Sequence, residues 1–204
     1  MHYFDNASTT FPKPESVYKK FDEAFRDYGA NPGRSGHKLA LRAMEEIMKT
    51  RLSLAKLFNV DNPLNLSFHM NTTYALNTAI KGTLKKGDHV ITTSMEHNSV
   101  LRPLFTLKEM GVIELTVVKA EKTGEVGKDK IVAAIKDNTR MLVMTHSSNL
   151  LGTVEDIDEI SKAVKAINKD IIILIDAAQS AGIIDIDLKK LDIDMLATAG
   201  HKSL

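Results

Sequence analysis

The feature that most constrains the fold is a regular alternation of short apolar runs with stretches of helical spacing. The apolar runs are rich in β-branched residues, which predicts strands: LSFH from residue 66, HVITT from 89, IELTVV from 113, MLVMT from 141, IIILI from 171 and DMLAT from 194. Between them lie predicted helices near residues 73–84, 98–110, 128–136 and 155–168. Several runs lack polar alternation, which is typical of strands buried on both faces. The sequence therefore predicts an α/β fold in three layers, with helices on both sides of a mainly parallel sheet.

Charge and composition argue against several kinds of partner. Lys plus Arg number 27 against 26 Asp plus Glu, so no basic excess favours nucleic acid or an anionic membrane surface. The longest apolar run, residues 171–175, is far too short to span a bilayer. The opening MHYFDNASTTFPKP shows no basic region followed by an apolar stretch, which predicts a cytoplasmic protein. The absence of Cys excludes disulfides and thiolate metal ligands within these residues.

Polar and titratable residues follow the predicted strands at the point where each strand ends. Ligands of parallel sheets bind beyond the carboxyl ends of the strands, because loops and helix N-termini meet there. The candidate site residues at this edge are Thr72, Thr73, His97, Asn149, Asp176, Gln179, His201 and Lys202. Each residue alone is more often an ordinary loop or capping residue. Their shared position at one edge makes them a candidate site.

The chemistry of this set meets the requirements of pyridoxal phosphate. Lys202 offers an amine for a Schiff base, and His97 offers a flat ring that can stack on another ring. Asp176 follows an apolar strand, where a buried carboxylate needs a cation or several donors, so we expect a charged partner. Thr72 and Thr73 at a helix start can bind phosphate. The alternatives are a structural carboxylate that caps the next turn and a plain N-cap.

A series of motifs runs through the chain in order: YFDNASTTFPKP, NPGRSGHKLALRA, NTTYALN, MEHNSV, SSNLLG, DAAQSAG and GHKSL. Together they resemble the class V aminotransferase family, in particular its cysteine desulfurase and selenocysteine lyase branch. The resemblance covers essentially the whole chain. It implies an aspartate-aminotransferase-like fold (fold type I), pyridoxal 5'-phosphate as cofactor and a homodimer. Residues 1–204 are then an N-terminal segment plus most of the large domain that binds the cofactor.

The resemblance also implies a role for each catalytic residue. Lys202 is expected to form the Schiff base with the cofactor and, once displaced, to carry the proton at the substrate's α-carbon. Asp176 is expected to pair with the pyridine nitrogen of the cofactor. His97 is expected to stack over the ring, with a second role as an acid or base.

Further residues are implied as binding groups. Gln179 and Asn149 would address the hydroxyl side of the cofactor ring. The residues implied for the phosphate are Thr72, Thr73 and His201. The residues implied for the substrate pocket are Asn6 and Ala7. The residue before Gly200 is commonly Ser or Thr in the family and is Ala199 here, so a weaker grip on the phosphate is expected.

The branch implies a reaction that removes sulfur or selenium from cysteine or selenocysteine and leaves alanine. A cysteine thiol accepts the sulfur, and a sulfur-acceptor protein is a further expected partner. Family members continue for a comparable length beyond the lysine. That part holds the small domain, the arginine for the substrate carboxylate and the sulfur-accepting cysteine. The chain is therefore expected to be the N-terminal portion of a longer enzyme, incomplete at its C-terminus.

Three functions stay open on the sequence alone. The first is a pyridoxal-phosphate enzyme of the desulfurase branch, or another class V aminotransferase or lyase. The second is a non-catalytic truncated chain that binds cofactor or a partner without turnover. The third is a metal-dependent hydrolase that uses His97, His146, Asp176 and His201, although no pair has the spacing of H-E-x-x-H. A hydrolase would not account for Lys202 or the threonine pair, so we predict no metal site.

A second Gly-His-Lys ends at Lys38 and competes with the one that ends at Lys202. It follows a Pro-Gly-Arg loop and opens an amphipathic helix, in which apolar residues from Ala40 to Phe58 recur at helical spacing. Lys38 is therefore predicted to be a solvated lysine at a helix start or a residue at the substrate entrance. Lys202 is the predicted cofactor lysine.

Overall fold

The computed structural model describes residues 2–34 and 36–204, and the chain divides into two compact units, Met1–Ser67 and Phe68–Leu204. The first unit contains helices α1 (Glu15–Asp27) and α2 (Lys38–Leu57) and a 3₁₀ turn at Pro63–Asn65. The helix predicted around residues 40–58 is confirmed as α2. Lys38 is its first residue, after the N-cap His37, so the helix-start interpretation of Lys38 is confirmed.

The second unit holds a sheet and its covering helices. Its helices are α3 (Thr72–Thr83), α4 (Asn98–Glu109), α5 (Lys128–Ala133) and α6 (Ile157–Ile167). Its strands are β1 (Asp88–Thr93), β2 (Ile113–Val118), β3 (Thr139–Thr145), β4 (Ile172–Asp176) and β5 (Met195–Ala197). The strand order is β2-β1-β3-β4-β5, and every neighbouring pair is parallel. The predicted α/β fold with a mainly parallel sheet is confirmed.

Alternate residues of the central strands divide the core between the two faces of the sheet. On one face, Met141 and Val143 of β3 belong to a buried cluster with apolar residues of α3 and α4. Leu142 and Met144 point to the other face because side chains alternate along a strand, and both are fully buried. Helices α5 and α6 contact each other and bury apolar side chains of their own. The sheet is thus the middle of three layers.

The strand predicted for LSFH is wrong. Residues 66–69 carry no strand assignment, and the side chain of Phe68 is 48% exposed. The short apolar run was interpreted as a strand buried on both faces, but this segment spans the boundary between the two units and is largely solvent-exposed. Helix α5 also ends at Ala133, earlier than predicted, because the N–H of Lys136 donates to Thr139 Oγ1 at 2.7 Å and turns the chain toward β3. Helix α1 was not predicted.

In the residues described, no helix has the length and the apolar character of a membrane span.

A buried histidine links three neighbouring strands at the start of β1. His89 is fully buried, and its Nδ1 and Nε2 each lie 2.8 Å from a threonine hydroxyl, Thr139 Oγ1 and Thr116 Oγ1. The β1–β3 register shifts at this residue, so the side chain ties the strands together where the backbone ladder is irregular. Burial, with a smaller contribution from the charge of Lys136, lowers the pKa of His89 below its ordinary value.

Replacing His89 with leucine should destabilise the fold by about 2 kcal/mol at pH 7, because the hydroxyl groups of Thr139 and Thr116 each lose a hydrogen bond with the imidazole. The lowered pKa means that the unfolded chain binds the proton first as the pH falls below about 6.5. The unsubstituted chain therefore loses stability in that range through this residue, and His89→Leu does not. The difference in free energy of unfolding between the unsubstituted chain and His89→Leu should decrease as the pH is lowered. Urea unfolding measures this difference. His2→Leu at an exposed position is the control, and a gap that widens toward acid would contradict the prediction.

Candidate functional site

A pocket opens at the carboxyl edge of the parallel sheet, near β1 and β3, the neighbouring strands from which the chain continues to opposite sides of the sheet. Its lining residues are Asn71, Thr72, Thr73, His97, Ser99, Thr145, Asn149, Asp176, Ala178, Gln179, Ala199, His201 and Lys202. The structure brings together all eight residues that the strand-end argument selected. All of these residues belong to the second unit, Phe68–Leu204.

Asp176 is the buried acid of the pocket. It is the last residue of β4 and is 5% exposed, and its Oδ1 accepts a hydrogen bond from Ala178 N at 3.0 Å. It therefore caps the next turn, as one alternative proposed. Burial raises the pKa of Asp176, and the charges of His97 and Lys202 oppose that rise together with the Ala178 hydrogen bond. Within the described residues no ion pair contains Asp176, so its expected charged partner is not a salt-bridged protein side chain.

The start of α3 offers backbone donors to the pocket. Asn71 is the N-cap, and its side chain accepts from Tyr74 N at 3.0 Å. The N–H groups of Thr72 and Thr73 belong to the first turn, where no intrahelical acceptor exists, and the helix dipole makes this end positive. The Thr72 hydroxyl donates to Thr198 O at 2.9 Å, which fixes the helix start against the end of β5. The free N–H groups make this end a suitable anion site.

His97 is held by a chain of polar contacts at the start of α4. Its Nδ1 accepts from Ser99 N at 3.1 Å and lies 2.8 Å from Ser99 Oγ. Since a backbone N–H can only donate, the neutral imidazole carries its proton on Nε2. Ser99 Oγ is also 2.7 Å from Thr73 Oγ1, and Asn77 Nδ2 donates to Thr73 O at 2.9 Å and to Ser99 O at 3.3 Å. These contacts set the ring of His97 relative to the start of α3.

A tight loop after β3 carries Asn149 to the pocket. Ser147 and Val154 form an antiparallel bridge at its base, and Ser148 Oγ accepts from Leu150 N and Leu151 N. Gly152 closes the loop with a φ of +72°, a conformation that favours glycine. The loop therefore has a defined backbone despite its exposed tip.

Comparisons with known proteins identify the family of the chain. The sequence model of the family described as Aminotransferase class-V matches residues 2–204. The chain belongs to the class-V aminotransferase family. It is 37% identical over 201 residues to a probable cysteine desulfurase of Methanothermobacter thermautotrophicus, covering 98% of this chain and 49% of the relative. The resemblance to the family and to its cysteine desulfurase branch is confirmed.

Solved structures of other proteins show the same fold as this chain. "SspA in complex with cysteine" superimposes with a TM-score of 0.91 at 32% identity, covering 99% of this chain and 58% of that chain. The apo structure of a cysteine desulfurase from Thermococcus onnurineus NA1 superimposes with a TM-score of 0.89 at 31% identity, covering 98% and 50%. The predicted aspartate-aminotransferase-like fold type I is confirmed. The chain spans about half the length of the curated relatives it matches.

The donor set of the pocket fits pyridoxal phosphate, the cofactor that a class-V aminotransferase implies. Lys202 supplies an amine and Asp176 a buried carboxylate that accepts a hydrogen bond from Ala178 N. The start of α3 supplies N–H donors suited to a phosphate. An amine, a buried acid and an anion site in one pocket are the groups that this cofactor requires.

Two predicted residues and one alternative are not supported by the lining of this pocket. Asn6 and Ala7 lie in the first unit, where Asn6 Oδ1 accepts from Phe11 N at 3.2 Å, and their role at the substrate stays a prediction. In the metal alternative, His146 is buried and does not line the pocket. Residues 2–34 and 36–204 contain no group of three or more His, Asp and Glu side chains arranged to hold a metal ion, so the structure gives the hydrolase no support.

Some residues that line the pocket have no role assigned from the sequence. Ser99 joins His97 to Thr73, and Thr145 at the end of β3 lies beside Asp176 in the sheet register. Thr145 could have been found by the same strand-end argument that selected Asp176. Ser99 carried no signal of its own, because its role depends on a contact with a residue 26 positions earlier.

Gly182 allows the segment that carries Lys202 to pack closely. It has a φ of +84°, and a Cβ at this position would clash with Ser203 O and lie 2.8 Å from Ser203 C. Both obstacles are backbone atoms, so the clash cannot be relieved by a side-chain rotation. The small residue in the DAAQSAG motif is thus required by the path of the neighbouring chain.

Gly182→Ala should destabilise the protein by about 2 kcal/mol or more, because it combines a left-handed backbone with this clash. It should also displace Lys202 and reduce loading with pyridoxal phosphate. Gly82→Ala is the matched control: that glycine lies inside α3 with open space around it, and alanine there should stabilise the helix by up to about 1 kcal/mol. Urea unfolding of both variants measures the difference. Equal stability of the two would refute the close-packing argument.

Proposed function

We propose that this chain forms the cofactor-binding part of a pyridoxal-phosphate-dependent cysteine desulfurase, which removes sulfur or selenium from cysteine or selenocysteine and leaves alanine. The observation that carries the proposal is the convergence of Lys202, Asp176, His97 and the start of α3 on one pocket. The relatives named cysteine desulfurase, which the chain matches over 98% of its own length, support this choice within the family. Residues 1–204 would comprise an N-terminal segment and most of the large domain.

Different residues of the pocket would bind different parts of the cofactor and the substrate. The N–H groups at the start of α3, with Thr72, Thr73 and His201, would hold the phosphate. Lys202 would hold the cofactor covalently through its amine. Gln179 and Asn149 would bind the hydroxyl side of the ring. Asn6 and Ala7 are the proposed substrate-side residues, on the basis of the family motif.

Pyridoxal phosphate, when bound, supplies an electron sink for negative charge at the substrate's α-carbon. Asp176 would keep a proton on the ring nitrogen through a charge-assisted hydrogen bond. The amine of Lys202 would move the proton at the substrate's α-carbon. His97 would stack on the ring and present its Nε2 proton to the reacting groups.

The choice of cysteine as substrate draws support from the comparisons. One structural neighbour was solved in complex with cysteine, and another is named a cysteine desulfurase. The chain contains no Cys, so a sulfur-accepting thiol must be supplied from elsewhere. A sulfur-acceptor protein is the proposed downstream partner, and the cytoplasm is the proposed compartment.

We propose a homodimer as the assembly. Helix α1 buries none of its residues and exposes an apolar face. On that face the rings of Phe21 and Phe25 lie 4.7 Å apart and are 66% and 72% exposed. Exposed apolar surface of this kind marks an interaction site. Sedimentation of the protein with Phe21→Ser and Phe25→Ser would test whether this face joins two copies.

The function is tested in two stages. Purified protein is titrated with pyridoxal phosphate, and we expect a yellow species whose absorbance saturates. Cysteine and a thiol acceptor are then added, and alanine is measured by mass spectrometry, with selenocysteine as a second substrate. A colourless protein in excess cofactor would refute cofactor binding. A coloured protein that makes no alanine from either substrate would leave the non-catalytic or another class V activity as the function of this chain.

A further inference from the structure

Glu96 is a buried carboxyl group that the proposed function does not use. It directly precedes His97 in the turn between β1 and α4 and is 7% exposed. Its Oε1 accepts a hydrogen bond from Thr93 Oγ1 at 2.7 Å and another from Thr145 N at 2.9 Å. Its Oε2 is buried and makes no hydrogen bond with any residue of the described chain.

The position of Glu96 in the sheet is unusual. After β1 the chain continues to β2, and after β3 it continues to β4. The connections that follow these two neighbouring strands therefore lead to opposite sides of the sheet. Thr145 is paired with Asp176 on its β4 side, and on its β1 side its N–H donates to Glu96. The side chain of Glu96 therefore continues the sheet's hydrogen bonding past the end of β1. It connects the turn that carries His97 to the strand end beside Asp176.

The groups that face Glu96 do not favour a negative charge. The two charged groups that act on it are both acidic, Asp176 from the end of β4 and Glu155 from the segment before α6. In the described ranges, 2–34 and 36–204, no ion pair involves Glu96. A buried carboxylate without a cation is strongly unfavourable, whereas the neutral acid keeps both of its accepted hydrogen bonds.

In the described part of the chain, the titratable groups around Glu96 do not provide a cation that pairs with it. His97 and Lys202 act on Asp176, and Glu125 acts on Glu155. His146 follows Thr145, and burial lowers its pKa. Burial of Glu96 raises its own pKa to about 8, although the hydrogen bonds from Thr93 and Thr145 work in the opposite direction.

We propose that Glu96 is a neutral carboxylic acid in the folded protein and acts as a positioning residue, holding the turn that presents His97 against the end of β3. In this state it keeps a second negative charge away from Asp176. The effect of this missing charge on cofactor binding rests on the proposed function. The neutral state of Glu96 and its hydrogen bond with Thr145 N do not depend on the proposed function.

The first test compares the protein with its Glu96→Gln variant across pH. The folded-state pKa lies above the ordinary 4.5, so between these values the folded chain binds more protons than the unfolded chain. The unsubstituted chain therefore loses stability as the pH rises from about 4.5 to about 8 through this group, and Glu96→Gln does not. The melting temperature of Glu96→Gln minus that of the unsubstituted chain should be at least about 5 °C larger at pH 8 than at pH 5. Glu109→Gln, an exposed glutamate at the end of α4, is the matched control and should show no such gain.

The second test is a spectroscopic signature. Infrared spectra at neutral pH of protein labelled with ¹³C-glutamate should show a protonated carboxyl band that shifts with the label. Its intensity should fall in Glu96→Gln and persist in Glu109→Gln. An unchanged band in Glu96→Gln, or a melting difference that does not grow with pH, would overturn the neutral state.

The third test separates positioning from charge. Glutamine keeps an acceptor for Thr145 N, and Glu96→Met has similar length with no such acceptor. We expect Glu96→Met to melt about 3 °C or more below Glu96→Gln, because a buried N–H loses its partner. Equal melting temperatures would overturn the positioning role.

The cofactor then distinguishes this inference from the proposed function. With pyridoxal phosphate, Glu96→Gln should keep its affinity within about twofold and Glu96→Met should lose about tenfold or more. If the unsubstituted protein binds no cofactor, the proposed function fails, and the pH, infrared and melting results still decide the state and the role of Glu96.

Discussion

Lys202→Ala should abolish the covalent attachment of pyridoxal phosphate. The variant removes the amine of the pocket and leaves Asp176, His97 and the start of α3 in place. After borohydride reduction, the unsubstituted protein should carry a phosphopyridoxyl group on the peptide that contains Lys202, and the variant should carry none. Peptide mass spectrometry identifies the modified residue. Under the proposed function, any turnover of cysteine should also fall to background, because Lys202 is the lysine that lines the pocket.

The second Gly-His-Lys supplies a matched control for this experiment. Lys38 follows Gly36 and His37 as Lys202 follows Gly200 and His201, but it begins α2 in the first unit. Lys38→Ala should keep the full adduct. Lys202→Arg retains the positive charge without a reactive amine and should behave like Lys202→Ala. An adduct on Lys38, or one that survives in Lys202→Ala, would reject the assignment of the cofactor lysine.

Asp176→Asn should weaken cofactor binding and at the same time stabilise the protein without cofactor. Asparagine can still accept the hydrogen bond from Ala178 N, but it cannot provide a charged acceptor for a protonated ring nitrogen. Loss of one charge-assisted hydrogen bond corresponds to about 10- to 100-fold weaker binding of pyridoxal phosphate. Turnover should fall further, because the same bond stabilises the charge that develops during the reaction.

The gain in stability follows from the raised pKa of Asp176. Above the ordinary value of 3.8 the unfolded chain releases this proton before the folded chain does, so the unsubstituted protein loses stability as the pH rises through that window. Asp176→Asn has no such loss and should melt at a higher temperature at pH 7. Scanning calorimetry with and without pyridoxal phosphate measures both effects. Asp170→Asn at an exposed position is the control, and an unchanged cofactor affinity in Asp176→Asn would refute the proposed pairing.

The candidate site could be predicted from the sequence because a parallel sheet brings distant residues to one edge. His97, Asp176 and Lys202 each follow an apolar run, and that pattern alone indicates that they lie near one another. The strand prediction failed at residues 66–69, where a short apolar run lies at the boundary of two units and remains exposed. Burial of a short run depends on the rest of the fold, so its local pattern cannot decide it.

The contacts that orient the site residues could not be predicted in the same way. Ser99 meets Thr73 across 26 positions of sequence, and Glu96 meets Thr145 across 49. Both contacts depend on how a helix start and a strand end are aligned in space. A serine two residues after a histidine, or a glutamate directly before it, is ordinary in sequence, and these residues gain their roles when the sheet is assembled.

The hydrogen bond from the Thr72 hydroxyl to Thr198 O has a consequence for local unfolding of the chain. Strand β5 spans Met195–Ala197 at one edge of the sheet and pairs only with β4, so its opening is expected to need less free energy than that of the central strands. Because the start of α3 holds the residue after this strand, a ligand bound at the helix start also opposes the opening of β5. Occupancy of the pocket and closure of the sheet edge are therefore one thermodynamically linked equilibrium, visible as slower amide hydrogen exchange in β5 when the pocket is filled.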